Sequence, residues 1–253
     1  MSVNTGGHRQ AAIQELAAQA YDSAGDEYSR AAWSVLSDPR EDVDTFELSQ
    51  KGWTGIGISY LLKAAICYRV AGLDTRAEQR GTAGLMITKD LIGRTERTVQ
   101  VGCLKEMGGD FRVIADLGEA KPVYKSAVST YQDVTVDDPQ SWTTTPLFEA
   151  AASPLKQLAR GQENGEIAVT WEDLHGSDPS QPSAFLAHRV KYKHQHLPAY
   201  LTQAIKDSMF AAPRGSTAYN TDSYQCPTCG SRDVNWTGDS TLCLRCSSPT
   251  EKR

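Results

Sequence analysis

The sequence predicts a mainly α-helical chain that ends in a small β module. Three observations carry this expectation. Apolar residues recur at three-four spacing through long stretches before position 210, glycines mark breaks 47 and 46 residues apart, and two CxxC pairs lie within the last 28 residues. Three-four spacing puts apolar side chains on one face of a helix. Breaks that return at such intervals are the mark of stacked helix pairs. Paired cysteines at short separation have the spacing of metal ligands. The expected organisation is a helical repeat domain over 8–210, a linker over 211–223 and a cysteine module over 224–248.

Residues 8–36 read as two helices. Ile13, Leu16, Ala17, Ala20 and Ala24 share one face, Gly25 ends the run, and Asp26 can cap the next helix by accepting from free backbone N–H groups. Tyr28, Ala31, Ala32, Val35 and Leu36 then continue until Ser37-Asp38-Pro39, where proline cannot extend the hydrogen-bond ladder. The acidic stretch 37–50 reads as a solvated loop. The pattern then recurs. Tyr21-Asp-Ser-Ala24-Gly25 matches Tyr68-Arg-Val-Ala71-Gly72, and Gly118 follows with the helical face Tyr124, Ala127, Val128 and Tyr131. A fourth unit would turn near Gly161 or Gly165 and bury Ile167, Trp171 and Leu174.

The tyrosine–alanine–glycine turn, with small residues on the following helix, resembles tetratricopeptide-like repeats. The long, uneven period is closer to the irregular helical repeats of the SNAP adaptor family. The resemblance spans about residues 8 to 175 and implies a TPR/SNAP-like solenoid that binds a protein partner, but it assigns no binding residue. A single irregular all-helical domain with accidental glycine spacing would carry the same residues.

Residues 133–146, rich in Asp, Thr and Pro, read as a connection. Ser153-Pro154 reads as a helix start, with serine as cap and proline at the first position. Phe185 to Met209 reads as helix interrupted at Pro198, after which Leu201, Ala204, Ile205 and Met209 form a stripe able to close the helical stack. Before the proline, His188, Arg189, Lys191, Lys193, His194 and His196 crowd nine residues. Arg189, Lys191 and Lys193 are the candidate contacts for nucleic acid or an acidic partner, set against the ordinary reading of a solvated helix face. Residues 211–223 are small, polar and turn-forming, hence the linker.

In the tail, Cys226-Pro-Thr-Cys229-Gly is followed after thirteen residues by Cys243-Leu-Arg-Cys246. Zn²⁺ favours four soft ligands in a tetrahedron, and four thiolates leave no open position for water, which argues for a structural ion. Two disulfides are the alternative, and they need an oxidising compartment. Val234 and Trp236 alternate, Gly238-Asp239-Ser240 supplies a turn, and Thr241-Leu242 leads into the second pair. Trp236 is either miniature core or contact residue, and core packing against the cysteine turns is favoured. The tail resembles the zinc-ribbon family over about residues 224–248. That resemblance implies Cys226, Cys229, Cys243 and Cys246 as ligands of one Zn²⁺. Many ribbons repeat the glycine after the second pair, where this chain has Ser247 and Ser248.

The chain has 253 residues, 40% hydrophobic, with net charge −5. That leaves room for one sizeable domain and a small one, and disfavours a globally basic nucleic-acid binder. No apolar run reaches membrane-spanning length, and no targeting segment stands at the polar N-terminus. Cys67 and Cys103 lie in apolar helical patterns and read as buried free thiols, so a reducing, cytoplasmic location is expected. No phosphate loop, GxSxG, HExxH or dinucleotide glycine turn is present. The expected role is a non-enzymatic zinc-binding interaction scaffold or adaptor. The alternative is a nucleic-acid- or ribonucleoprotein-associated zinc-ribbon factor.

Overall fold

The computed structural model describes residues 5–37, 53–160 and 169–253. Among the described residues, ten helices precede two small antiparallel sheets. The helices are α1 (Thr5–Ala17), α2 (Tyr21–Leu36), α3 (Trp53–Val70), α4 (Asp74–Ile92), α5 (Thr98–Ile114), α6 (Lys121–Gln132), α7 (Pro139–Thr143), α8 (Pro146–Arg160), α9 (Trp171–Leu174) and α10 (Pro182–Lys206). The strands are β1 (Ser216–Ala218), β2 (Tyr224–Gln225), β3 (Val234–Thr237), β4 (Ser240–Cys243) and β5 (Glu251–Lys252). No helix among the described residues is long and apolar enough to cross a membrane.

From α1 to α6, each helix packs against the next. The chain then folds back: α8 lies on α3 and α5, and α10 covers α5, α6 and α8. An open solenoid keeps contacts to sequential neighbours. Here α3 is instead the central helix, touching α2, α4, α5, α8 and α10. That explains its apolar surface on every side, with Ile58, Leu61, Leu62, Ala65, Ile66 and Cys67 all buried. Cys67 and Cys103 are both buried and neither is in a disulfide, and burial pushes both thiols upward.

The first expected helix break is misplaced. Gly25 and Asp26 lie within α2, and the real turn lies at 18–20, where Gln19 has φ +58°. Four helices end in one pattern, a bond from the N–H three places past the last helical residue to the carbonyl five residues back. These bonds are Ala20 to Glu15, Leu73 to Tyr68, Leu117 to Arg112 and Met209 to Ala204, at 2.8–3.0 Å. The residue turned left-handed is Gln19, Gly72, Asp116 or Ser208. The first three are 53 and 44 residues apart, so the turns do not share the regular glycine spacing.

Gly25 has a packing reason instead. A Cβ there would stand 2.5 Å from the Tyr68 ring. The two copies of the apparent motif touch each other, and the Tyr68 hydroxyl donates to Asp26 at 2.7 Å. The arrangement recurs: Phe111 sits on Gly84, Tyr131 on Gly102 and Tyr124 on Gly109. Large rings meet bare backbone, so neighbouring helices approach closely and the rings are buried.

Two prolines fall inside helices where a start or an interruption was expected. Pro154 lies within α8, which begins eight residues earlier at Pro146. Leu147, Phe148, Ala151, Leu155 and Leu158 form one buried stripe through the proline, and that burial holds the helix together. Pro198 lies within α10 between buried Leu197 and Leu201. His194 and Pro198 are both exposed, so the carbonyl left without its N–H partner can reach water. The proposed fourth unit is a single turn, α9, with Leu174 buried and Trp171 exposed; Ile167, Gly161 and Gly165 lie outside the described residues. Most of the acidic 37–50 stretch does too.

Lys63 of α3 is a conflict inside this core. It is 7% exposed, lies 5.8 Å from the Tyr60 ring centre and 6.0 Å from that of Tyr28, and has no ion pair among the described residues. Burial, aided by Arg9, pushes its pKa from 10.5 down to about 8. Below about pH 8 both folded and unfolded chains hold the proton, and the folded state bears the full cost. Between 8 and 10.5 the unfolded chain holds more protons, so stability rises with pH. The displacement corresponds to about 3 kcal/mol. Lys63→Met is therefore expected to stabilise the protein by roughly that amount at neutral pH and to flatten the alkaline rise. Urea unfolding across pH 7 to 10.5 checks both.

Candidate metal centre

The tail forms a three-stranded sheet in the order β1-β3-β4 and a two-stranded sheet, β2-β5. Thr237 pairs with Ser240, so Gly238-Asp239 is a two-residue hairpin turn, with Gly238 at φ +56°. Two corrections to the expected boundaries follow. Residues 211–223 are not a free linker: Ala211 and Ala212 are buried, and β1 joins β3 with Ser216 opposite Trp236. The module also runs past 248, because β5 pairs with β2.

The hairpin and the two sheets bring four sulfurs together. Cys226, Cys229, Cys243 and Cys246 have Sγ atoms all within 4.8 Å of one another. Cys226 to Cys246 is 3.5 Å, Cys229 to Cys243 is 3.5 Å and Cys229 to Cys246 is 3.7 Å. A tetrahedron with Zn–S bonds near 2.3 Å has edges of about 3.8 Å. The cluster fits one such ion. None of the four is disulfide-bonded.

Each CxxC is held by the same two hydrogen bonds. Gly230 N–H donates to the Cys226 carbonyl at 2.9 Å, and Cys226 N–H to the Ser231 carbonyl at 2.8 Å. Ser247 N–H donates to Cys243 at 3.0 Å, and Cys243 N–H to Ser248 at 2.7 Å. Gly230 takes φ +72°, and Ser247 takes φ +60° in the matching place. Serine there bears a steric cost that glycine avoids. Its hydroxyl supplies the offset, accepting from Ala212 N–H at 3.0 Å. The departure from the usual ribbon glycine thus ties the module to the chain leading into it.

Burial raises the Cys243 thiol. Burial also raises Cys246, but hydrogen bonds from the Ser248 hydroxyl and amide outweigh it and bring that thiol down to about 7. Cys246 is therefore close to its thiolate form, the form in which sulfur binds a metal ion.

The module docks on the helices. Gln10 of α1 donates to the Ser240 hydroxyl at 2.9 Å, and its carbonyl oxygen accepts from Asp239 N–H at 2.9 Å. Ile13 and Ala17 pack on Ala212 and Leu242. From α8, Gln157 donates to the Ala211 carbonyl at 2.8 Å, and Arg160 donates to the carbonyls of Ala212 and Leu244. Trp236 is half-buried and meets Tyr224 edge-on at 6.2 Å, joining the two sheets. Gln10, Arg160 and Ser247 carry no sequence mark of these roles.

The basic run 188–196 divides. Arg189 and Lys193 are buried, which corrects the expectation that they form a contact surface. Arg189 binds both carboxylate oxygens of Glu106 at 2.7 and 2.9 Å, donates to the Phe148 carbonyl at 3.0 Å, and lies over the Phe148 ring. Lys193 reaches Asp110 at 2.5 Å, Glu106 at 2.7 Å and the Ala151 carbonyl at 2.7 Å. Tyr124 donates to Asp110 at 2.8 Å. A readable signal did exist. Glu106 and Asp110 stand four apart among Cys103, Leu104, Met107 and Phe111, matching the four-residue step from Arg189 to Lys193. Lys191, His188, His194 and His196 face outward to differing degrees, and Lys191 and His194 are exposed.

Comparison with protein-family models, curated proteins and solved structures finds no match to this chain.

Proposed function

We propose that this chain is a non-enzymatic, zinc-binding interaction scaffold, acting in a reducing, cytoplasmic setting. The observation that carries the reading is the closed donor set. Four sulfurs on two CxxC turns satisfy a tetrahedral ion, which leaves no position on the metal for a substrate. Zn²⁺ would then supply folding energy to a module with few apolar residues of its own. The helical body would offer the partner-binding surface, and the docked module would fix its C-terminal end. The nucleic-acid alternative drew on Arg189, Lys191 and Lys193, and two of these side chains are committed to an internal ion-pair network.

Chemical crosslinking of the full-length, zinc-loaded chain in its own cells is expected to recover one defined protein partner, joined through the helical body. Gel shifts with RNA and DNA are expected to show no stable complex. Tight binding that weakens steeply with salt would replace the scaffold by a nucleic-acid factor.

A further inference from the structure

Helices α6 and α10 leave a groove of about 380 Å³ between them. Lys121 and Lys125 stand on one wall, four residues apart on the same face of α6, and Lys191 and His194 stand on the other. Val128 and Val190 give an apolar floor, together with the buried Tyr124. No carboxylate is among the described lining residues, and these three lysines have no ion pair among the described residues. In a chain of net charge −5 this is a concentrated positive site. At its floor the Tyr124 hydroxyl donates to Asp110 at 2.8 Å, and the Tyr124 ring packs against His194 at 5.5 Å.

We infer that this groove docks an acidic amphipathic helix of a partner protein, its carboxylates meeting Lys121, Lys125 and Lys191 and its apolar face covering Val128 and Val190. The inference rests on the scaffold reading and gives that scaffold a binding face and a partner chemistry. Along α6 the lining runs from Lys121 to Gln132, about 16 Å, or three turns of a facing helix. Cationic rims over an apolar floor suit a helix laid in a groove. Phosphate is served less well, since the lining holds no arginine to form a two-pronged contact. Nucleobases find little to stack on, since Tyr124 is 2% exposed and the one other ring of the lining, His194, already packs against it at 5.5 Å.

The test uses the zinc-loaded full chain and a labelled peptide of about 18 residues with glutamate and leucine at helical spacing, followed by fluorescence anisotropy. The expected result is saturable binding that weakens at high salt and falls about tenfold or more in the combined variant Lys121→Glu, Lys125→Glu, Lys191→Glu. Lys191→Gln alone should weaken it by a smaller factor. Lys89→Glu, an exposed change on α4, should leave it unaltered. Circular dichroism and zinc content confirm that each variant is folded. Absent binding, or equal losses in the groove and α4 variants, would overturn the inference. So would an RNA oligonucleotide that displaces the peptide. A natural partner that still crosslinks to the triple variant would remove the groove and leave the scaffold standing. Specific peptide binding without any cellular partner would do the reverse.

Discussion

Removing the metal is expected to unfold the C-terminal module and to leave the fold of α2 to α8 in place. Metal binding of roughly 10–16 kcal/mol acts as folding energy in modules of this kind. This module has little else: Val234, Leu242 and Leu244 are its buried aliphatic residues, and the strands are two to four residues long. Hydrogen exchange after chelation should show lost protection across Val234–Cys243. Helical circular dichroism should fall little, because the main core, drawn from α1 to α6 and from α8 to α10, contains no residue of the module. The effect should still reach α1, where Gln10 loses both its partners and Ile13 and Ala17 lose their cover. Cys229→Ser should reproduce the loss without a chelator. Acid should promote release as well, since protons compete with the ion for the sulfurs. Retained protection in β3 and β4 of metal-free protein would show that thiolate coordination is not what folds the tail.

Arg189→Met is expected to be among the most destabilising single changes in the helical body, at about 3–5 kcal/mol. The reason is less the lost attraction than the group left behind. Glu106 is fully buried, and its carboxyl is held below the usual range by Arg189 and Lys193 against the burial that raises it. Without Arg189, one cation remains for two buried carboxylates, and the Phe148 carbonyl loses its donor. Combining Arg189→Met with Glu106→Gln should recover part of the loss, since it removes the stranded charge. Lys191→Met, two residues away and exposed, should change stability by less than about 0.5 kcal/mol. Urea denaturation of the four proteins gives the comparison. Equal effects at 189 and 191 would contradict the buried assignment.

The four-cysteine cluster was legible in the sequence because its chemistry is local: CxxC spacing alone places two sulfurs on one turn. The helices were legible where apolar periodicity was strong, as in residues 185–209. Their turns were harder to read. Gln19, Asp116 and Ser208 adopt the left-handed conformation usually left to glycine, so only Gly72 and Gly118, the latter at φ +77° between α5 and α6, announced their turns. Gly25 misled for the complementary reason. It is small to admit Tyr68, a residue 43 positions away, and no local pattern encodes that contact. Prolines 154 and 198 misled because tertiary burial outweighed their cost to the helix. The basic run misled because charge was read without its partners. Glu106 and Asp110 lie more than 80 residues upstream, and only the packing of α10 on α5 brings them together.

The seating of Tyr68, Phe111, Tyr131 and Tyr124 over four glycines has a mechanical consequence. Each ring is a pin in a notch one hydrogen atom wide. Sliding a helix by one position would drive a ring into a Cβ, so the alignment between neighbours is keyed and cannot drift. A stack locked in this way would hold its outer faces at constant separation whether or not the C-terminal module is folded.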